Sequence, residues 1–69
     1  MYAIQNVKTG QWVYGTDFRY PIPHQRTSKD QMMTWEDEDA VKLEFSRRKC
    51  GKDYKIAVLK TVEVKRYLE

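Results

Sequence analysis

Cysteine and histidine each occur once in this chain, as Cys50 and His24. One thiol makes no internal disulfide, and one thiol with one imidazole falls short of the ligand set of a structural zinc site. His24 and Cys50 lie far apart in sequence, so nothing local favours a Cys–His nucleophile, and Cys50 reads more simply as a small apolar filler. No enzyme, no metal and no cofactor are expected. The longest apolar runs are Met1–Ile4 and Ile56–Leu59, far short of the roughly 18–20 residues a membrane span needs. The opening MYAIQNVKTG is neither basic nor continuously apolar, unlike a secretory leader. A soluble protein of a reducing, cytoplasmic compartment is expected, with no membrane partner. With only three glycines and two prolines, and no repeat, low-complexity run or linker, residues 1–69 read as a single domain.

What the chain has is charge and aromatic surface. Charged residues make up 33% of the sequence, yet the net charge is only +3. Residues 1–35 carry four basic side chains against two acidic ones, and residues 36–69 carry nine against eight. A dedicated nucleic-acid binder shows a less compensated basic face. Nine aromatic residues, including Trp12 and Trp35, must fill much of a core, because a domain this small buries only about 60% of the surface its unfolded chain exposes.

The window Thr34–Gly51 is the one stretch that reads as a helix. Asp37 is the expected N-cap, with Glu36, Asp37, Glu38 and Asp39 crowding the positive end of the dipole and Arg47, Arg48 and Lys49 the negative end. Gly51 stands where a left-handed residue would close the helix. Ala40, Val41, Leu43 and Phe45 supply an apolar stripe centred on Ala40 and Val41, and Glu38–Lys42 and Glu44–Arg48 are favourable i,i+4 pairs. The dipole accounts for the acidic run, which lacks the glycine and alternating spacing of a calcium loop.

Around this helix the strands are laid out as follows. Tyr2–Val7 and Gln11–Gly15 predict a hairpin through Lys8-Thr9-Gly10 with Gly10 in the left-handed region. Pairing Val7 with Gln11 puts Tyr2, Ile4, Trp12 and Tyr14 on one face, and by area that aromatic face belongs against the helix, the alternative being an exposed stacking platform. In Phe18–Asp30 the two prolines predict a loop or ragged edge, not a central strand. Gln31–Trp35 reads as a short strand with Met33 and Trp35 on one side and Met32 on the other. Tyr54–Leu59 is apolar on both faces and is placed centrally in the sheet, while Thr61–Arg66 alternates like an edge. The fold expected is α+β: a three- to four-stranded, mainly antiparallel sheet, ββ(β)αβ, with one helix packed on one face.

Two basic surfaces compete as sites. Arg47, Arg48, Lys49, Lys52 and Lys55 cluster at the helix C-terminus, where the dipole repels anions, so their first role is to complement that dipole. Arg47, Arg48 and Lys52 are therefore a secondary patch. Arg19, Tyr20, His24, Arg26 and Lys29 in the proline segment have no such structural reason and form the primary candidate surface for a partner, since Arg and Tyr are enriched at interface hot spots.

Tyr2, Ile4, Asn6, Thr9, Gly10, Trp12, Tyr14 and Gly15 form a pattern that resembles the first hairpin of many small bacteriophage-encoded accessory proteins. There, a Y-x-I-x-N-x-x-T-G hairpin precedes a charged helix and a closing basic strand. The resemblance implies a host-takeover or anti-defence factor that binds a host protein, and it carries over no site residues. The function expected is a non-catalytic binding module, a phage-type inhibitor or modulator of a host protein, acting as a monomer or small homo-oligomer. The alternative is a small nucleic-acid-binding protein.

Overall fold

A computed structural model of the protein describes residues 1–59. Strands β1 (Tyr2–Asn6), β2 (Trp12–Asp17) and β3 (His24–Ser28) precede helix α1 (Glu38–Arg47), a 3₁₀ turn over Gly51–Asp53, and strand β4 (Tyr54–Val58). All four strands join one antiparallel sheet in the order β3-β2-β1-β4. This is the expected α+β fold, with a strand order that the residue pattern leaves open. β1 takes an inner position because Ala3 and Ile4, adjacent and so on opposite faces, are both fully buried. The central placement expected for Tyr54–Leu59 does not hold: among the described residues β4 is an edge strand, and Val58 is exposed. The alternating segment expected over 61–66 lies outside the described residues.

The first hairpin is one residue out of the expected register. Its ladder closes with the Asn6 N–H donating to the Gln11 carbonyl at 2.9 Å, and Gln5 stands opposite Trp12. The cause is the Asn6 side chain, whose amide oxygen accepts the N–H groups of Lys8 at 2.9 Å and Thr9 at 3.1 Å. That local turn draws Val7 out of the strand and into the loop, where it is exposed. Gly10 is left-handed as expected, at φ 75°. Because side chains alternate, a slip of one residue sends the other set of β2 inward. Val13 is fully buried beside Ile4, whereas Tyr14 is exposed and Trp12 is only half-buried outside the core cluster. The aromatic face therefore does not pack on the helix.

The core tryptophan is Trp35. Ile4, Val13, Val41 and Cys50 form the buried centre, and Tyr2, Met33, Trp35, Phe45, Tyr54 and Ile56 pack around it. Residues 31–35 make an isolated bridge instead of a strand. Tyr2 and Trp35 exchange backbone bonds at 2.8 and 2.9 Å, and the Met33 N–H donates to the Val13 carbonyl at 3.0 Å. This segment wedges into the gap where β1 and β2 splay apart, with Met33 and Trp35 facing in and Met32 exposed, as expected.

The helix begins at Asp37, which has the extended backbone of an N-cap but makes no side-chain capping bond. Its apolar stripe is narrower than expected: Val41 is fully buried, Ala40 and Phe45 are half-buried, and Leu43 is exposed. The residue that closes the helix is Lys49, not Gly51. Lys49 sits at φ 50°, its N–H donates to the Ser46 carbonyl at 3.0 Å, and the Cys50 N–H reaches the Phe45 carbonyl at 3.2 Å. These are the two bonds of a Schellman motif, completed by apolar packing of Cys50 and Phe45 in the core. Gly51, also left-handed at φ 72°, instead opens the 3₁₀ turn. A lysine in the left-handed region carries a steric penalty that glycine lacks. Lys49→Gly should therefore raise stability by up to about 1 kcal/mol in urea unfolding; an unchanged or lower midpoint would show that the turn is not strained.

Candidate functional site

The proline segment divides in two. Pro21 and Pro23 fall in the turn between β2 and β3, and His24–Ser28 pairs with β2 as an edge of the sheet among the described residues. The expected edge is thus present, while the expected loop shrinks to the tip Phe18–Pro23. A bulge between Val13 and Gly15 sets which side chains reach the tip. Val13 and Thr16 both face the helix side although they stand three apart, because Tyr14 is the extra residue that shifts the alternation. Beyond the bulge, Asp17 pairs with His24 and Gly15 with Arg26 on the opposite face.

On that face Asp17 organises the tip. Its carboxylate accepts the Arg19 backbone N–H at 3.0 Å and the Arg19 guanidinium at 2.7–3.1 Å, and Arg26 Nη2 stands 3.7 Å away. The side-chain bond from Arg19 holds the Asp17 carboxyl well below the usual carboxylate range. The Tyr20 and His24 rings stack at 3.8 Å with 5° between planes. The Arg47 guanidinium lies over the Phe18 ring, 5.1 Å from its centroid, and so joins the helix end to the tip.

On the helix side a second network ties the hairpin down. Glu44 accepts from Arg47 at 2.9 Å and from Arg48 Nε at 3.1 Å, with Arg48 Nη2 in ion-pair contact at 2.9 Å. Arg48 also donates to Thr16 Oγ1 at 2.7 Å, Thr16 Oγ1 donates to Gln25 Oε1 at 2.6 Å, and Gln25 Nε2 donates to the Arg48 carbonyl at 2.7 Å. The hydrogen bonds, that from Arg47 above all, hold Glu44 at about 2 against an ordinary 4.5. Unfolded Glu44 therefore binds its proton more readily than folded Glu44, and stability rises with pH between the two values. Unfolding midpoints should fall as pH is lowered from about 5 to about 2, and Glu44→Gln should flatten that fall. An equally steep acid limb in Glu44→Gln would show that Glu44 does not carry it.

The structure brings Arg19, Tyr20, His24 and Arg26 together at the tip and adds Arg47 to them. Lys29 follows β3 at its far end, away from the tip, and Lys52 lies exposed in the 3₁₀ turn. Arg48 points inward into the clamp just described. Phe18, Ile22 and Lys49 belong to the site and were not expected there; their signal was that Phe18 and Ile22 are apolar residues in a segment where no strand alternation needs them. A groove of about 370 Å³ opens beside the tip, walled by Ile22, Pro23 and His24 on one side and Lys49, Asp53 and Tyr54 on the other. Cys50 also lines it, and burial pushes its thiol up, against a smaller downward pull from Arg48. That is the reverse of what a thiolate nucleophile needs.

Among the described residues no helix is long and apolar enough to cross a membrane. No family model, curated protein or solved structure matches this chain.

Proposed function

We propose that the protein is a non-catalytic binding module that docks a partner protein through the β2–β3 tip. One observation carries this reading: Phe18 at 49%, Tyr20 at 45% and Ile22 at 71% exposure stand within five residues of one another, on a tip whose other side chains are already fixed. Apolar surface exposed in this way is costly to keep in water and is a mark of an interface. Arg19 is locked on Asp17, Tyr20 on His24, and Pro21 and Pro23 restrict the turn. Little freedom remains to be lost on binding, which favours affinity. The likeness of Tyr2–Gly15 to bacteriophage accessory hairpins supports a host protein as the partner and modulation of that protein as the outcome.

Nucleic acid is the second reading, supported by the guanidiniums and aromatic rings at the tip. It is weaker, because one face of each ring is covered, by His24 on Tyr20 and by Arg47 on Phe18, which removes stacking surface a base would use. The test is a paired substitution. Phe18→Ala with Tyr20→Ala should weaken capture of the partner about tenfold or more with the unfolding midpoint nearly unchanged, as loss of interface anchors does. Lys52→Ala should do neither. Normal capture by the double variant, or capture abolished by nuclease, would reject the protein-docking reading.

A further inference from the structure

Charge at the tip is layered. The carboxylates of Asp17 and Glu44 are sunk, at 11% and 20% exposure, while the guanidiniums that cover them face outward, Arg19 at 79%, Arg26 at 56% and Arg47 at 53%. Two acids are shared among four arginines, since Arg48 also draws on Glu44. Each of the two networks, Asp17 with Arg19 and Arg26 on one side of the sheet and Glu44 with Arg47 and Arg48 on the helix side, therefore carries one more guanidinium than carboxylate, and those two carboxylates are masked from a partner. The inner carboxylates also orient the arginines. Arg19 and Arg47 each use Nε and Nη2 inward, and among the described residues no hydrogen bond is made by either Nη1 or by the Arg26 guanidinium. Arg19 and Arg47 are thus planar groups held with free outer Nη1 donors, which suits carboxylate recognition, and Arg26 stands across Asp17 from Arg19 with its donors unengaged among the described residues. Next to them is the groove, where Ile22, Pro23 and Tyr54 supply apolar surface among the polar His24, Gln25, Lys49 and Asp53, the last turned toward Lys8 at 3.8 Å.

We propose that the tip recognises an acidic protein segment with one apolar anchor: partner carboxylates meet the outer edges of Arg19, Arg26 and Arg47, and the anchor enters the groove beside Ile22 and Tyr54. This rests on the reading of the tip as a docking surface and names the chemistry of what docks. The acidic class follows from charge complementarity, and the anchor from the apolar side chains of Ile22, Pro23 and Tyr54 in the groove, which a phosphate chain would leave uncovered.

The experiment titrates isotope-labelled full chain with three defined probes, following amide and arginine side-chain resonances. The probes are a blocked peptide of aspartate and glutamate around a central leucine, the same peptide with lysine for every acid, and a short DNA duplex. The acidic peptide should shift Phe18, Arg19, Ile22, Arg26 and Lys49 saturably, and the lysine peptide should not. Arg26→Gln and Arg47→Gln should each weaken that binding about three- to tenfold, as expected for loss of a charge-assisted bond at a partly exposed site. Replacing the leucine by serine should remove the shifts at Ile22 and Tyr54 first. Equal binding of the acidic and lysine peptides, tighter binding of the duplex, or no binding of the acidic peptide overturns the inference. Photocrosslinking from position 20 separates the two levels. A protein adduct formed by a chain that ignores the acidic peptide keeps the docking surface and rejects its acidic ligand.

Discussion

Ile4→Ala should leave most of the chain unfolded at 25 °C, whereas Trp12→Ala should leave it folded. Ile4 is fully buried against Val13, Val41 and Cys50, and removing its outer carbons deletes both transfer energy and packing, about 2–5 kcal/mol. A domain of this size has only about 3–5 kcal/mol to lose. Trp12 is the larger residue, but it is half-buried and outside the core cluster, so its loss should cost about 1–2 kcal/mol. Far-UV circular dichroism and urea titration distinguish the two. An unfolded Trp12→Ala would mean that the hairpin takes the other register, which puts Trp12 on the buried face beside Ile4, and a folded Ile4→Ala would mean that Ile4 does not carry the core.

The second large effect separates two neighbouring arginines that the residue pattern treats alike. Arg48→Met should cost about 1–3 kcal/mol, because it removes a partly buried charge that satisfies Glu44 and Thr16 together. Arg47→Met should cost less than about 1 kcal/mol, as an exposed ion pair does. Hydrogen exchange should report the same difference locally, with β2 and β3 losing protection in Arg48→Met while β1 and β4 keep it. Equal effects from both substitutions would show that the link from helix to hairpin carries no load.

Both predictions turn on details finer than residue patterning. The element types were legible: a charged helix bounded by Asp37 and closed near residue 50, a hairpin at the start, an edge in the proline segment and an apolar strand after Gly51. Each is a local matter of propensity, capping and alternation. The register of the hairpin was not, because a T-G loop accepts closure at either Val7 or Asn6, and one side-chain turn at Asn6 decides it. Trp12 and Val13 are adjacent, so choosing the inward face by bulk chose the wrong one. The bulge at Tyr14 leaves no mark in composition, yet it determines that Thr16 faces Arg48 and that Asp17 faces Arg26.

The candidate surface was half legible for the same reason. Arginine and tyrosine in a proline turn are visible as types, so Arg19, Tyr20, His24 and Arg26 could be named. Their roles come from pairings across strands and between strand and helix, which need coordinates: Arg19 is held by Asp17 through Nε and Nη2, Arg26 is only near it, and Arg47 reaches the tip over Phe18. Arg48, next in sequence, turns inward because its position on the helix lies above Thr16.

The pairing of β1 with β4 has a consequence for how the chain is made. Tyr2 lies opposite Val58 and Asn6 opposite Tyr54, so the inner strand β1 is synthesised well before its second neighbour β4, with β2, β3 and α1 made in between. Until Tyr54–Val58 emerges, Ala3 and Ile4 have cover on one side only, and the loop to be closed spans nearly all of the described chain. Closure over that length costs chain entropy before it returns contacts, which places the molecule among slow folders for its size. During that wait the nascent hairpin exposes an unpaired apolar edge, the kind of surface to which early-binding chaperones attach.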